Sequence, residues 1–105
     1  MPKFLVRWRM NPKECFKTAE ERNMFMQRVL VETRALLQSG LMKDWGGYVD
    51  GTGGYLILEL PSEMEAFASL RPWMPQVDFD VRQVLTVDQL VEMRRTLPTE
   101  AQAPH

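Results

Sequence analysis

The sequence predicts an α+β domain with the element order β-α-β-β-α-β and one further helix. Three observations carry this. Residues 3–10, Lys-Phe-Leu-Val-Arg-Trp-Arg-Met, alternate in character as a half-buried strand does. Asp50-Gly51-Thr52-Gly53-Gly54 is a turn-forming run set directly before Tyr55–Leu60, the most strand-like stretch in the chain. Helix signals separate the strands: a long helical stripe ends at Gly40, and Ser62-x-x-Glu65 follows Pro61 with capping-box spacing.

In the first strand Phe4, Val6, Trp8 and Met10 share one face, and Lys3, Leu5, Arg7 and Arg9 share the other. Asn11-Pro12 ends it. A helix start is readable there and again at Thr18, where Glu21 completes a capping box. Residues 13–24 are therefore open between helix and a loop over a pocket mouth. The helix runs to about Ser39 on a stripe of Phe25, Met26, Val29, Thr33, Leu36 and Leu37. Residues 41–49 form strand two, where Gly46-Gly47 predicts a bulge or a close backbone approach, and an edge position. Strand three, Gly54–Leu60, puts Leu56, Leu58 and Leu60 on one face and Tyr55, Ile57 and Glu59 on the other. Helix two begins at the Ser62 cap and stops before Pro72 and Pro75. Val77–Val87 is read as strand four, and Asp88 as the cap of a last helix carrying Leu90, Val91 and Leu97.

With 105 residues, 45% of them hydrophobic and 26% charged, the chain has the composition of one globular domain. The expected domain spans 1–97, with 98–105 as a disordered tail. A net charge of -1 from evenly spread residues argues against nucleic acid as a partner. No apolar run reaches membrane-spanning length, so no membrane partner is expected. The amino terminus reads as no secretory signal, and the expected location is cytoplasmic. One cysteine, Cys15, and one histidine, His105, exclude an internal disulfide, multi-cysteine metal sites and a histidine-based catalytic triad within one chain. No metal and no cofactor is expected. Cys15 reads as an incidental thiol, and the eight methionines as adaptable core filler.

This element order is the ferredoxin-like split β-α-β arrangement. Right-handed crossovers place strands one and three centrally, strands two and four at the edges, and both helices on one face. The other face then carries Leu5, Arg7, Arg9, Tyr55, Ile57, Glu59, Asp78, Asp80 and Arg82, with the strand-one arginines beside acids of strands three and four. Apolar side chains on an uncovered face predict a homodimer made by stacking two sheets.

The Val49-Asp50-Gly51-Thr52-Gly53-Gly54-Tyr55 hairpin, the Ser62–Leu70 helix and the Phe79-Asp80-Val81 strand resemble the dimeric α/β-barrel superfamily, and most closely small, mostly uncharacterised members of it. The Leu70–Pro75 segment is more loosely similar to muconolactone isomerases. The resemblance covers the chain to about residue 97. It implies the fold, a dimer, and a space between sheet and helices that takes small hydrophobic or aromatic ligands; it transfers no catalytic residue.

Candidate ligand-binding residues are Trp8, Phe25, Trp45, Tyr48 and Trp73, aromatics expected to converge on that space, with Trp73 on its proline-rich loop as the gate. Against this stands an ordinary aromatic core. The glycine run lacks the spacing of a phosphate loop and reads as a hairpin. Lys43-Asp44 reads first as a charged edge-strand pair, and second as an anion contact and a base. Two functions are compatible with the sequence. One is a cofactor-independent enzyme on a small aromatic or cyclic metabolite, isomerase or monooxygenase-like. The other is a non-catalytic small-ligand-binding or assembly module.

Overall fold

The computed structural model describes residues 1–14 and 16–96. Its elements are β1 (Lys3–Met10), a short 3₁₀ turn (Pro12–Glu14), α1 (Ala19–Ser39), β2 (Met42–Gly47), β3 (Gly53–Glu59), α2 (Glu63–Leu70), a second 3₁₀ turn (Arg71–Trp73), β4 (Val77–Val84) and α3 (Val87–Thr96). The strands lie in the order β2-β3-β1-β4, all antiparallel. This is the ferredoxin-like arrangement expected, followed by a C-terminal helix. The expectations for Cys15, Leu97, His105 and the 98–105 tail fall outside the described residues.

Alternation sets the two faces of the sheet. Phe4, Val6 and Trp8 of β1, Leu56 and Leu58 of β3 and Val77 of β4 join Phe25 of α1 and Ala66 and Leu70 of α2 in one core. Phe4, Val6 and Leu58 are its largest fully enclosed side chains. Helices α1 and α2 therefore cover the same face. On the opposite face no side chain of β1, β3 or β4 is buried.

The helix starts follow their capping residues. The Thr18 hydroxyl accepts the Glu21 N–H at 3.1 Å, and the Glu21 carboxylate accepts the Lys17 N–H at 3.1 Å. Of the two starts readable in the sequence, Asn11-Pro12 opens only the 3₁₀ turn, and residues 19–24 are helix. Gly40 closes α1 at φ 85°, a conformation that suits glycine. Leu37, one step round from Leu36, turns off the buried stripe and is 38% exposed. The Ser62 hydroxyl caps α2 by accepting the Glu65 N–H at 3.2 Å.

Three local expectations are corrected, and one left open is settled. Strand β4 stops at Val84 rather than Val87, and Thr86, not Asp88, caps α3. The Thr86 hydroxyl accepts the Gln89 N–H at 3.2 Å while the Gln89 side chain accepts the Thr86 N–H at 2.8 Å, a reciprocal pair that Asp88, inside the first turn, does not make. Of the two readings open at Gly46-Gly47, close approach is the one found, and the register shift of β2 falls between Met42 and Asp44. Glu59 of β3 pairs with Lys43 at 3.0 Å and not with an arginine of β1, because Lys3 is the β1 residue opposite it in register.

The glycines serve close approach instead. A methyl group on Gly54 would collide with the Gly46 carbonyl oxygen and stand 2.7 Å from the Trp8 ring; one on Gly46 would enter the Tyr55 ring. We expect Gly54→Ala to lower stability by about 1–3 kcal/mol, the range of overpacking, read as a fall in urea midpoint at unchanged m-value.

At the hairpin tip the Asp50 carboxylate accepts the Thr52 hydroxyl at 2.7 Å and the Thr52 N–H at 3.0 Å. These bonds, the hydroxyl first, hold its pKa below the usual carboxylate range. A folded-state pKa below the unfolded one contributes stability that is complete above the ordinary carboxylate range. That contribution is lost as pH falls through the lowered value. Asp50→Ala should therefore lower the neutral melting temperature and flatten part of the decline in acid, measured by thermal melts across that range.

Candidate functional site

Between the sheet and the helices lies a cavity with sixteen lining residues drawn from β1, α1, β2, β3, α2, the second 3₁₀ turn and β4. Its walls are built by the same periodicities that make the core. Trp8 comes from the helix-facing side of β1 and Trp45 from β2, two strands apart across β3. Their rings stack at 5.6 Å with an interplanar angle of 15°. That approach is open because Gly54 fills the place between them on β3: Trp8 pairs with Gly54, and the ring edge of Trp8 lies over a residue with no side chain. On the helix side Phe25 meets Trp73 edge-on at 6.0 Å and Phe16 at 5.1 Å. The Arg28 guanidinium caps this second cluster, 5.1 Å from the Trp73 ring centre and 5.7 Å from that of Phe25.

Four of the five aromatic residues expected from sequence are therefore brought together: Trp8, Phe25, Trp45 and Trp73 all line the cavity. Tyr48 is not. It follows the last residue of β2, its N–H bonds the Gly53 carbonyl at 2.7 Å, and its half-exposed ring sits in a groove with Arg7, Arg9 and Asp80. Lys43 and Asp44 are also away from the cavity. Lys43 pairs with Glu59, and Asp44 accepts the Tyr55 hydroxyl at 2.8 Å, which raises the tyrosine pKa. Arg28 was not legible as a site residue: its place three residues after Phe25 and five before Thr33 gives no sign that it folds over two rings.

The chemistry of the lining is narrow. Apart from indole N–H groups, Thr33 and Ser69 supply its polar side-chain atoms, and no residue of the lining is ionisable. The Ser69 hydroxyl is already committed to the Ala66 carbonyl at 2.8 Å. The Trp8 Nε1–H is buried and has no acceptor among the described residues; an unmet buried donor costs about 1–3 kcal/mol. The void is about 40 Å³ and partly open to the surface. A water needs roughly 10–15 Å³ and a benzene-binding cavity is of order 150 Å³. The space thus suits a water or a very small guest, and a ring enters only if the lining shifts. Among the described residues no three His, Cys, Asp or Glu side chains are grouped to hold a metal ion, and no helix is long and apolar enough to cross a membrane.

Sequence comparison places the chain in a family: the domain of unknown function DUF3303 matches residues 2–97. The chain belongs to that family. The match spans every strand and helix that builds the sheet and the cavity. No curated protein matches the chain.

Arg28→Ala should leave the fold intact and cost about 0.5–1 kcal/mol, the value of an exposed cation–π contact, with a change in tryptophan emission as Trp73 loses its cap.

Proposed function

We propose that this DUF3303 protein is a non-catalytic homodimeric module whose two sheets stack through their open faces. The observation that carries this is the make-up of that face. Leu5 and Ile57 are cross-strand partners at its centre, with Tyr55 next to them, and the described elements leave all three partly exposed. Around them the charges are ordered in columns: Arg7 opposite Asp80 and Arg9 opposite Asp78, with Arg9 and Asp78 3.9 Å apart. An apolar centre within a polar rim is the anatomy of a protein interface. Helix α3 points the same way, since it has no buried residue and exposes Leu90, Val91 and Met93. Isolated helices shorter than roughly 12–15 residues are marginal in water, and this one has ten. The resemblance to the dimeric α/β-barrel superfamily supports the same reading.

Light scattering behind size exclusion tests it. The expected result is a dimer at micromolar concentration, with Ile57→Asp folded by circular dichroism but monomeric. A wild-type monomer overturns the proposal.

A second reading, uptake of a small molecule between sheet and helices, is favoured by the unmet Trp8 N–H at a void. A neutral acceptor there completes a hydrogen bond without displacing another. An isomerase or monooxygenase-like activity on a ring has less support: general acid–base chemistry needs a titratable group in reach, and this lining offers none. Tryptophan fluorescence titrated with small neutral amides and aromatics is expected to respond to the former at lower concentration; no response to either class removes this reading.

A further inference from the structure

At the end of β1, away from the centre of the open face, a groove of about 760 Å³ runs between the β1 terminus, the first turn of α1 and the hairpin tip. Its volume lies in the range of small-molecule sites, of order 300–1,000 Å³. Its charge is one-sided. Arg9, Lys17 and Arg22 line it, and no described acidic residue does. The side chains of Lys17 and Arg22 form no ion pair among the described residues, and Arg9 reaches Asp78 only at 3.9 Å with both groups largely exposed. Of the neighbouring acids, Glu21 accepts the Lys17 N–H, and Asp50 holds Thr52. In a chain of net charge -1, three cations left facing one concave space stand out.

The floor of the groove is apolar. Met10 and Phe16 belong to it; Met10 also lines the aromatic cavity, and Phe16 packs on Phe25 at 5.1 Å. The groove therefore offers a hydrocarbon or ring surface backed by the core, beside two guanidinium groups and an ammonium.

We infer that this groove binds a small organic acid, its carboxylate among Arg9, Lys17 and Arg22 and its apolar body on Met10 and Phe16. A guanidinium matches a carboxylate through two parallel N–H donors. A bare inorganic anion makes no use of the apolar floor, so the site distinguishes an acid with a body from an ion alone. The inference rests on neither reading of function above: the groove borders the stacked face at Arg9 and the interior void at Met10, but Lys17, Arg22 and Phe16 belong to neither.

Amide chemical shifts of the full chain, titrated separately with benzoate and with inorganic phosphate, test it. Benzoate is expected to shift residues 9–11, 16–22 and 51–52, to bind more tightly than phosphate, and to weaken as salt rises. The double variant Lys17→Gln/Arg22→Gln, which keeps the Thr18 cap, should weaken benzoate about tenfold or more, as expected for losing charged hydrogen bonds, while Arg34→Gln, outside the groove, should not. Three results overturn the inference: no shifts at those residues, equal binding of phosphate and benzoate, or benzoate binding unchanged in the double variant with its fold intact.

Discussion

The structure depends on one close approach. Trp8 of β1 lies against Gly54 of β3, at a point where neither a methyl group nor any larger side chain fits. Because that position is empty, an indole from a central strand reaches across to stack on the indole of an edge strand. The same glycine also stands against the carbonyl of Gly46, so it keeps β2 and β3 at bonding distance while the rings pass over it. On the other side of the sheet Tyr55 covers Gly46, and its hydroxyl is tied to Asp44. The glycines thus let large aromatic rings lie on both faces of one strand pair, and each face is filled by a ring from the neighbouring strand rather than by its own side chain.

Much of this was legible in the residues. Alternation in Lys3–Met10 assigned each side chain of β1 to its face, and the strand order followed from crossover handedness once the elements were in place. The Ser62 and Thr18 caps were readable because a hydroxyl three residues before an acid is a local pattern that needs no tertiary information. What was left open or misread needed such information. Gly46-Gly47 signalled a departure from regular pairing, but two kinds of departure share that signal. The shift fell at Lys43, whose pairing with Glu59 is visible only in register. Asp88 is as good a capping residue as Thr86, and the choice between them turned on Gln89 closing the reciprocal bond.

The candidate site divides in the same way. Trp8, Phe25 and Trp73 sat on stripes or a stiff loop that led inward, and they converge. Tyr48 carried an aromatic ring at the end of a strand whose alternation breaks at two glycines, so its facing was undetermined by pattern, and it lies outside. Arg28 meets Trp73, far along the chain, and the cationic groove joins Arg9, Lys17 and Arg22, from three local contexts that look unremarkable singly, to the hairpin tip at Gly51-Thr52. Spacing rules apply within an element; a groove between elements has no spacing to read.

The stacked pair of Trp8 and Trp45 also gives the molecule an optical signature of its own tertiary order. Two indoles held nearly parallel at 5.6 Å couple their transition dipoles, and the coupling is present only while β1, β3 and β2 keep their register. Circular dichroism in the indole bands therefore reports on side-chain packing across three strands, separately from the amide signal of the helices. A state that keeps its helices but loosens its core would lose the first signal and retain the second.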